Sequence, residues 1–255
     1  MVEPGLWSRC GCAGAVERVQ LNRRVTSALI ARLRSDLAAA NFSVSALTGL
    51  WGTDADAALH RNQRVPALRA LADLRERLGH TEPCATLACL FVLGLPVDRA
   101  DLDAALPALG VAGAEELGLV AAGASVEPGA GNAVRPLLEL RPYSFVDAHG
   151  AGSWWIASDL GELALGHPLG ESHVLGVGGA SLTLSGLLIP TPVERALDLG
   201  TGCGIQAMHA SRHAGRVVAT DISVRALEFA ALNAELNEIG NIEFRLGSLF
   251  DPVAG

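Results

Sequence analysis

Residues 196–204, Ala-Leu-Asp-Leu-Gly-Thr-Gly-Cys-Gly, restrict the fold of this chain more than any other stretch. A buried apolar run passes there into three alternate glycines, which turn the backbone sharply and let a ligand approach without meeting a Cβ. Asp221 follows 17 residues after Gly204 and closes a second apolar run, Val217-Val218-Ala219. From Val193 onward the pattern predicts a strand at 195–199, a helix at 205–213, a strand at 217–220, a helix at 223–237 with Ser223 as N-cap, and a strand at 242–246. Such alternation implies a parallel α/β sheet with right-handed crossovers. Ligands of these sheets sit at the carboxyl ends of the strands. A carboxylate at the tip of the second strand can accept hydrogen bonds from both hydroxyls of a ribose, so the expected ligand carries a nucleoside.

Composition is consistent with an ordered chain. Of the 255 residues, 50% are hydrophobic and 18% charged, enough for a sizeable core and too apolar for disorder. All 19 basic residues are arginine, a bias better explained by a GC-rich coding sequence than by structure. The net charge of −8 is unevenly spread. Residues 1–80 carry 11 Arg against seven Asp and Glu, residues 81–190 three against 12, and residues 191–255 five against eight. The arginine-rich part offers a face to an anionic partner, although solvated arginines on amphipathic helices give the same count. The five cysteines, Cys10, Cys12, Cys84, Cys89 and Cys203, lack zinc-type spacing and fit a reducing, cytoplasmic compartment. Cys203 reads as a small core-like residue of the turn. His209 and His213 lie four apart with no third ligand, so they are read as surface histidines and no metal is expected. Residues 1–14 hold no apolar core of signal-peptide length, and the longest apolar stretch, Ala85–Leu95, is about half of what a bilayer needs. No membrane contact is expected.

Upstream of the sheet the periodicity is helical. Leu21, Val25, Leu29, Leu33 and Leu37 recur every fourth residue and predict a helix over 16–40. Ser43 or Ser45 opens a short helix through Leu50, Thr53-Asp54 precedes another, and Ala67–Leu78 continues to a stop at Gly79. Residues 1–80 thus read as a small helical bundle behind a frayed tail, Met1–Ala15. Thr81-Glu82-Pro83 starts a helix that runs to Gly94, Pro96-Val97-Asp98 caps a second over 99–106, and a third covers 112–117. Three short helices followed by strands, with Val134–Leu140 as one strand of a wing, predict a winged-helix-like region. Its third helix carries Glu115 and Glu116 where a base-reading helix would carry Arg, Asn or Gln, so packing or substrate orientation is the expected role. Residues 141–158 read as a β-hairpin turning around His149–Gly152. Of its adjacent tryptophans, Trp154 and Trp155, one is expected in the core. Gly176–Ala180 reads as a loop leading into the α/β part, and it matches neither a phosphate-binding loop nor a nucleophile elbow.

Three segments resemble a known family. Ala196–Gly204 is similar to the first motif of class I methyltransferases that use S-adenosyl-L-methionine (SAM), and Val218-Ala219-Thr220-Asp221-Ile222-Ser223 is similar to the second. Arg245–Phe250 resembles the segment that leads to the adenine pocket. Asn233, Asn237 and the Gly-Ser-Leu-Phe-Asp run resemble the small methyltransferase group, which includes ribosomal RNA guanine-N2 enzymes and release-factor glutamine enzymes. The resemblance covers about 65 residues, 191–255. It implies that Asp198 meets the methionine amino group, that Gly200, Gly202 and Gly204 admit the methionine and ribose, that Asp221 holds the ribose hydroxyls, and that Ile222 packs against adenine. Ser248 stands where relatives place an Asp that accepts from the adenine amino group. The implied methyl acceptor is RNA or protein. The chain is therefore expected to be α/β: an amino-terminal helical and winged-helix-like region, then the first half, β-α-β-α-β, of a Rossmann-like SAM-binding domain, with divisions at 80/81 and 190/191.

The group it resembles grips the reactive amine with Asn-Pro-Pro-Tyr/Phe after a fourth strand, aligning the nitrogen lone pair with the methyl carbon. No such tetrapeptide occurs here; Asp251-Pro252 is followed by Val253. The expectation is a shortened coding sequence whose product leaves the first strand as an unpaired edge, binds SAM weakly and does not turn over. Two other classes compete. A nicotinamide-dependent oxidoreductase accounts for Asp221 but not for Ile205, which occupies the place of a dinucleotide motif's third glycine. A nucleic-acid-binding module would use the arginine-bearing helices and keep the Rossmann half as a vestige.

Overall fold

The computed structural model describes residues 15–123, 132–166 and 168–253. Most of the expected frayed tail, with Cys10 and Cys12, lies outside the described residues, as do the side chains of Leu21 and Val25. The chain divides into two compact units, Met1–Leu138 and Glu139–Gly255.

In the first unit, α1 (Ala15–Ala39) is followed by α2 (Val44–Leu59) and α3 (Val65–Leu78). Leu29, Leu33 and Leu37 of the expected stripe are buried, together with Ile30. Ser43 caps α2 by accepting from the Ala46 N–H at 3.2 Å. The two short helices expected there are one element with a kink at Gly52, where φ is 80°. Pro66 stands in the first turn of α3, and Gly79 ends the helix in the left-handed region, as a C-terminal glycine does. Next comes α4 (Pro83–Leu87), which widens into a π-helical turn, Ala88–Val92, where a single helix to Gly94 is the sequence expectation. Then β1 (Val97–Asp98) leads into α5 (Arg99–Ala105), α6 (Gly110–Glu116), β2 (Val120–Ala122) and β3 (Ala133–Pro136). These strands form an antiparallel sheet in the order β1-β3-β2. The expected strand over 134–140 breaks after Pro136.

One buried carboxylate explains why the helices before and after residue 80 share a unit. Asp36 of α1 is 2% exposed and accepts three short bonds, two from the Ala108 N–H (3.0 and 3.1 Å) and one from the Leu109 N–H (2.8 Å). It thereby satisfies two backbone donors, of which the Leu109 N–H is buried and would otherwise have no partner. Leu87, Leu90, Phe91, Leu102, Leu106 and Leu119 fill the core of this unit.

The second unit opens with a two-stranded hairpin, β4 (Glu139–Asp147) and β5 (Gly150–Ser158), in register from Glu139↔Ser158 to Asp147↔Gly150. Its turn is Ala148-His149, which shares His149 with the expected turn, while Gly150, Ala151 and Gly152 belong to β5. After α7 (Glu162–Leu165), α8 (Gly179–Leu187) begins inside the segment expected as a loop. It is tied down by Gln206, whose Nε2 donates to the Ser181 carbonyl at 2.8 Å. The remainder follows the expected alternation: β6 (Val193–Leu199), α9 (Ile205–Ser211), β7 (Ala214–Asp221), α10 (Val224–Leu236) and β8 (Ile242–Leu246). The sheet is parallel in the order β6-β7-β8, so β6 has a strand on one side only among the described residues. A small core of Ala207, Ala210, Ala214, Val217 and Ala219 joins α9 to the sheet, and the alanines allow the close packing.

Candidate cofactor site

The end of β6 and the end of β7 meet at one turn. The Gly200 and Thr201 N–H groups both donate to the Thr220 carbonyl at 2.9 Å, which hooks the turn onto the neighbouring strand. From β6, Asp198 accepts from the Thr201 hydroxyl at 2.7 Å. From the tip of β7, Asp221 accepts from the Gly202 N–H at 3.0 Å through one oxygen and from the Ser223 N–H at 2.9 Å through the other. Two consecutive residues of the turn, 201 and 202, are thus each held by one of the two carboxylates. Each Asp221 oxygen has a further lone-pair direction left for a ligand donor. Burial raises the Asp198 pKa; its bonds from Thr201 and from the Ala207 backbone oppose that, and the nearby Asp221 charge adds to it.

Gly204 is the tightest point of the turn. Its φ is 89°, in the left-handed region, and a Cβ there would lie 3.0 Å from both Cα and Cβ of Ala230 on α10. Backbone conformation and helix packing therefore both demand glycine. At Gly200 and Gly202, by contrast, a Cβ would point into open space. That space is where a ligand can approach the turn. On its rim stands Ile222, 75% exposed. The Gly247 N–H donates to the Asp221 carbonyl at 3.0 Å, which brings the segment containing Ser248, itself exposed, to the same strand end.

All seven residues singled out from sequence therefore lie at the carboxyl ends of β6, β7 and β8: Asp198 and Asp221 in the last residues of their strands, and Gly200, Gly202, Gly204, Ile222 and Ser248 in the turns that follow. The donor set suits a SAM-like molecule: a half-buried carboxylate for an ammonium group, a second carboxylate with free lone pairs for a diol, uncrowded backbone between them and an exposed aliphatic face.

Sequence reading singled out Asn233 and Asn237 only as part of a resemblance and missed how they support the site from behind. Asn233 is fully buried, and its Nδ2 donates to the Cys203 carbonyl at 2.8 Å and to the Ala157 carbonyl at 2.9 Å. Cys203 is itself buried, and burial pushes its thiol pKa up. The reading of His209 as a surface residue is corrected: it is 7% exposed under the hairpin, with Nε2 2.9 Å from the Tyr143 hydroxyl and the rings of Phe145 and Trp154 packed around it. The apolar cage of β4 and β5 covers this face of α9, and burial lowers the His209 pKa. Trp154 is the tryptophan in the core, 8% exposed. Arg212 pairs with Asp147, whose pKa its guanidinium lowers, and Arg225 pairs with Asp159 at 2.9 Å. The clue in the sequence was the pair of amides four apart in an apolar helix, Asn233 and Asn237, which put two polar groups on one helix face.

Residues 191–254 match a family described as a methyltransferase domain, and residues 39–131 match a domain of unknown function. The chain is 42% identical over 63 residues to a release factor glutamine methyltransferase of Aliivibrio fischeri, covering 24% of this chain and 22% of that protein. It is 47% identical over 66 residues to a ribosomal protein L11 methyltransferase of Pelotomaculum thermopropionicum, covering 25% and 21%. The chain thus spans about a fifth of the length of these curated relatives. Among solved structures it is similar to the T. thermophilus 16S rRNA N2 G1207 methyltransferase in complex with AdoMet and guanosine. There the identity is 17%, the coverage 63% of this chain and 43% of that one, and the TM-score 0.34.

Proposed function

We propose, from the premise that residues 191–254 belong to the methyltransferase-domain family, that this chain carries the SAM-binding half of an N-methyltransferase for an RNA or protein acceptor. The observation that carries the reading is the convergence of Asp198 and Asp221 on residues 201 and 202 of one turn. In this reading Asp198 receives the methionine ammonium, Asp221 the ribose hydroxyls, and the open backbone of Gly200 and Gly202 the atoms between. Gly204 keeps α9 and α10 close enough to hold the turn, Ile222 lies against adenine, and the backbone around Ser248 meets the adenine edge. When bound, SAM supplies an electrophilic methyl on a sulfonium; the residues named bind and orient it. Turnover is proposed for the methyltransferase domain as a whole, and cofactor binding without turnover for these 255 residues by themselves.

The class of acceptor rests on the relatives, which are named for a release factor and a ribosomal protein, and on the first unit. Its order of helix, strand, two helices and two strands, with the sheet ordered β1-β3-β2, supports a winged-helix reading of residues 83–136. Glu115 of α6 pairs with Arg99 of α5 at 3.1 Å, which favours packing over base reading for that helix. A cytoplasmic setting goes with the unpaired thiols of Cys84, Cys89 and Cys203. No helix among the described residues is long and apolar enough to cross a membrane.

Calorimetric titration with S-adenosylhomocysteine (SAH) and, separately, with NADH tests the proposal. Binding of SAH with no heat from NADH is expected. Binding of NADH alone would assign the site to a nicotinamide enzyme.

A further inference from the structure

Asn233 of α10 and Asn237, the C-cap of that helix, lie one turn apart, and each grips both backbone polar groups, N–H and C=O, of a single residue of β5. Asn237 accepts from the Trp155 N–H at 2.9 Å and donates to the Trp155 carbonyl at 2.8 Å. Asn233 accepts from the Ala157 N–H at 2.7 Å and donates to the Ala157 carbonyl at 2.9 Å. The spacing follows from the two geometries. Four residues of α-helix advance about 6 Å, and two residues of strand advance about 6.6 Å. At Trp155 and Ala157 the two side-chain amides thereby do for the outer edge of β5 what a third strand would do. The amide orientations are fixed by the partners, since a carbonyl can only receive an N–H and the strand N–H can only meet an oxygen.

The two asparagines differ in their remaining N–H. That of Asn237 donates back to the end of α10, to the Asn233 carbonyl at 2.8 Å. That of Asn233 donates to the Cys203 carbonyl at 2.8 Å, inside the glycine turn. A single buried amide therefore spans the hairpin and the turn, and Cys203 is the residue between Gly202, held by Asp221, and Gly204, pressed against Ala230.

We propose that Asn233 is a positioning residue for the cofactor, setting the Gly202–Gly204 backbone to the docked position of the β4–β5 hairpin. This rests on the SAM reading of the turn given above. The hairpin is then part of the cofactor site although none of its side chains need touch the ligand. Linkage makes the effect reciprocal: a ligand that fixes the turn tightens the clamp on Ala157 by the same factor. Asn237, with the same chemistry toward the hairpin and no bond to the turn, is the built-in comparison.

The experiment uses the full 255-residue chain as wild type, Asn233→Asp and Asn237→Asp, measuring thermal midpoint and SAH affinity for each. Both substitutions are near-isosteric, keep the acceptor for the strand N–H and lose the donors. Both should lower the midpoint, Asn233→Asp by more because its site is fully buried and Asn237 is only partly so. Asn233→Asp should weaken SAH binding about tenfold, the scale of one lost hydrogen bond in a buried setting. Asn237→Asp should change it less than about twofold on the same scale. Hydrogen exchange on the wild type, which does not depend on either variant folding, should show the Ala157 amide gaining protection when SAH is added. Equal SAH affinity in Asn233→Asp and wild type, equal weakening in both variants, or no added protection at Ala157 overturns the proposal. Failure of the wild type to bind SAH at all overturns the cofactor reading itself, and this inference with it.

Discussion

Replacing Gly204 with alanine separates two costs that the structure places on one atom. The first is conformational: at φ 89° an L-residue is strained by about 1–2 kcal/mol. The second is steric, because the new Cβ would meet Cα and Cβ of Ala230 at 3.0 Å, and α10 would have to move away from α9. Overpacking of that kind costs about 1–3 kcal/mol. Together they amount to about 2–5 kcal/mol. For a unit of this size that corresponds to a fall of roughly 8–20 °C in thermal midpoint. Gly200→Ala isolates the first cost, since its φ is 72° and nothing lies within 4 Å of the added Cβ. It should lose only about 1–2 kcal/mol. Urea and thermal unfolding of the three proteins, without ligand, give the comparison. If Gly204→Ala is no less stable than Gly200→Ala, then α10 does not press on the turn, and the account of how the two helices hold it is wrong.

Stability should also fall on acidification through His209. Its folded-state pKa is depressed by burial, so below the unfolded value near 6.5 the unfolded chain binds the extra proton. The loss begins there and ends at the lower folded pKa, at no more than about 1.4 kcal/mol per pH unit for one proton; His209→Phe should flatten urea midpoints measured across that window. SAH affinity should decline at a higher pH than an ordinary carboxylate near 4 would dictate, because Asp198 is protonated early through burial and the Asp221 charge. Asp198→Asn should bind SAH weakly with a flat profile over the same range, as titration calorimetry at several pH values would show. In the first unit, Asp36→Ala strands the buried Leu109 N–H and leaves the Ala108 N–H to water, and should cost about 1–3 kcal/mol by urea unfolding. A loss under about 0.5 kcal/mol, the range of ordinary surface changes, would mean that the Leu109 N–H finds another partner.

What was legible in the sequence divides along physical lines. Periodicity and turn chemistry are local, so the β6-to-β8 alternation, the Ser43 and Ser223 caps and the Gly79 stop could be read directly. The two carboxylates were legible because strand ends and glycine turns have a fixed relation in parallel sheets. The π-helical turn at Ala88–Val92 was not, since its apolar residues fit an α-helix equally well. Neither was the burial of His209, which depends on an aromatic hairpin some 60 residues earlier in the chain. The extent of the second unit was hidden for the same reason. The hairpin belongs with the sheet because Asn233 and Asn237 bond to residues about 80 positions away, and no local pattern encodes that.

The claim on which the account depends is that the turns after β6, β7 and β8 bind one nucleoside-bearing ligand together. An amide NMR titration of the isotope-labelled chain with SAH tests it directly. Shifts at Gly200–Gly204, Asp221–Ile222 and Gly247–Ser248 that saturate along one common curve are the expected result. Shifts confined to one of those segments, or an equal response to NADH, would contradict it.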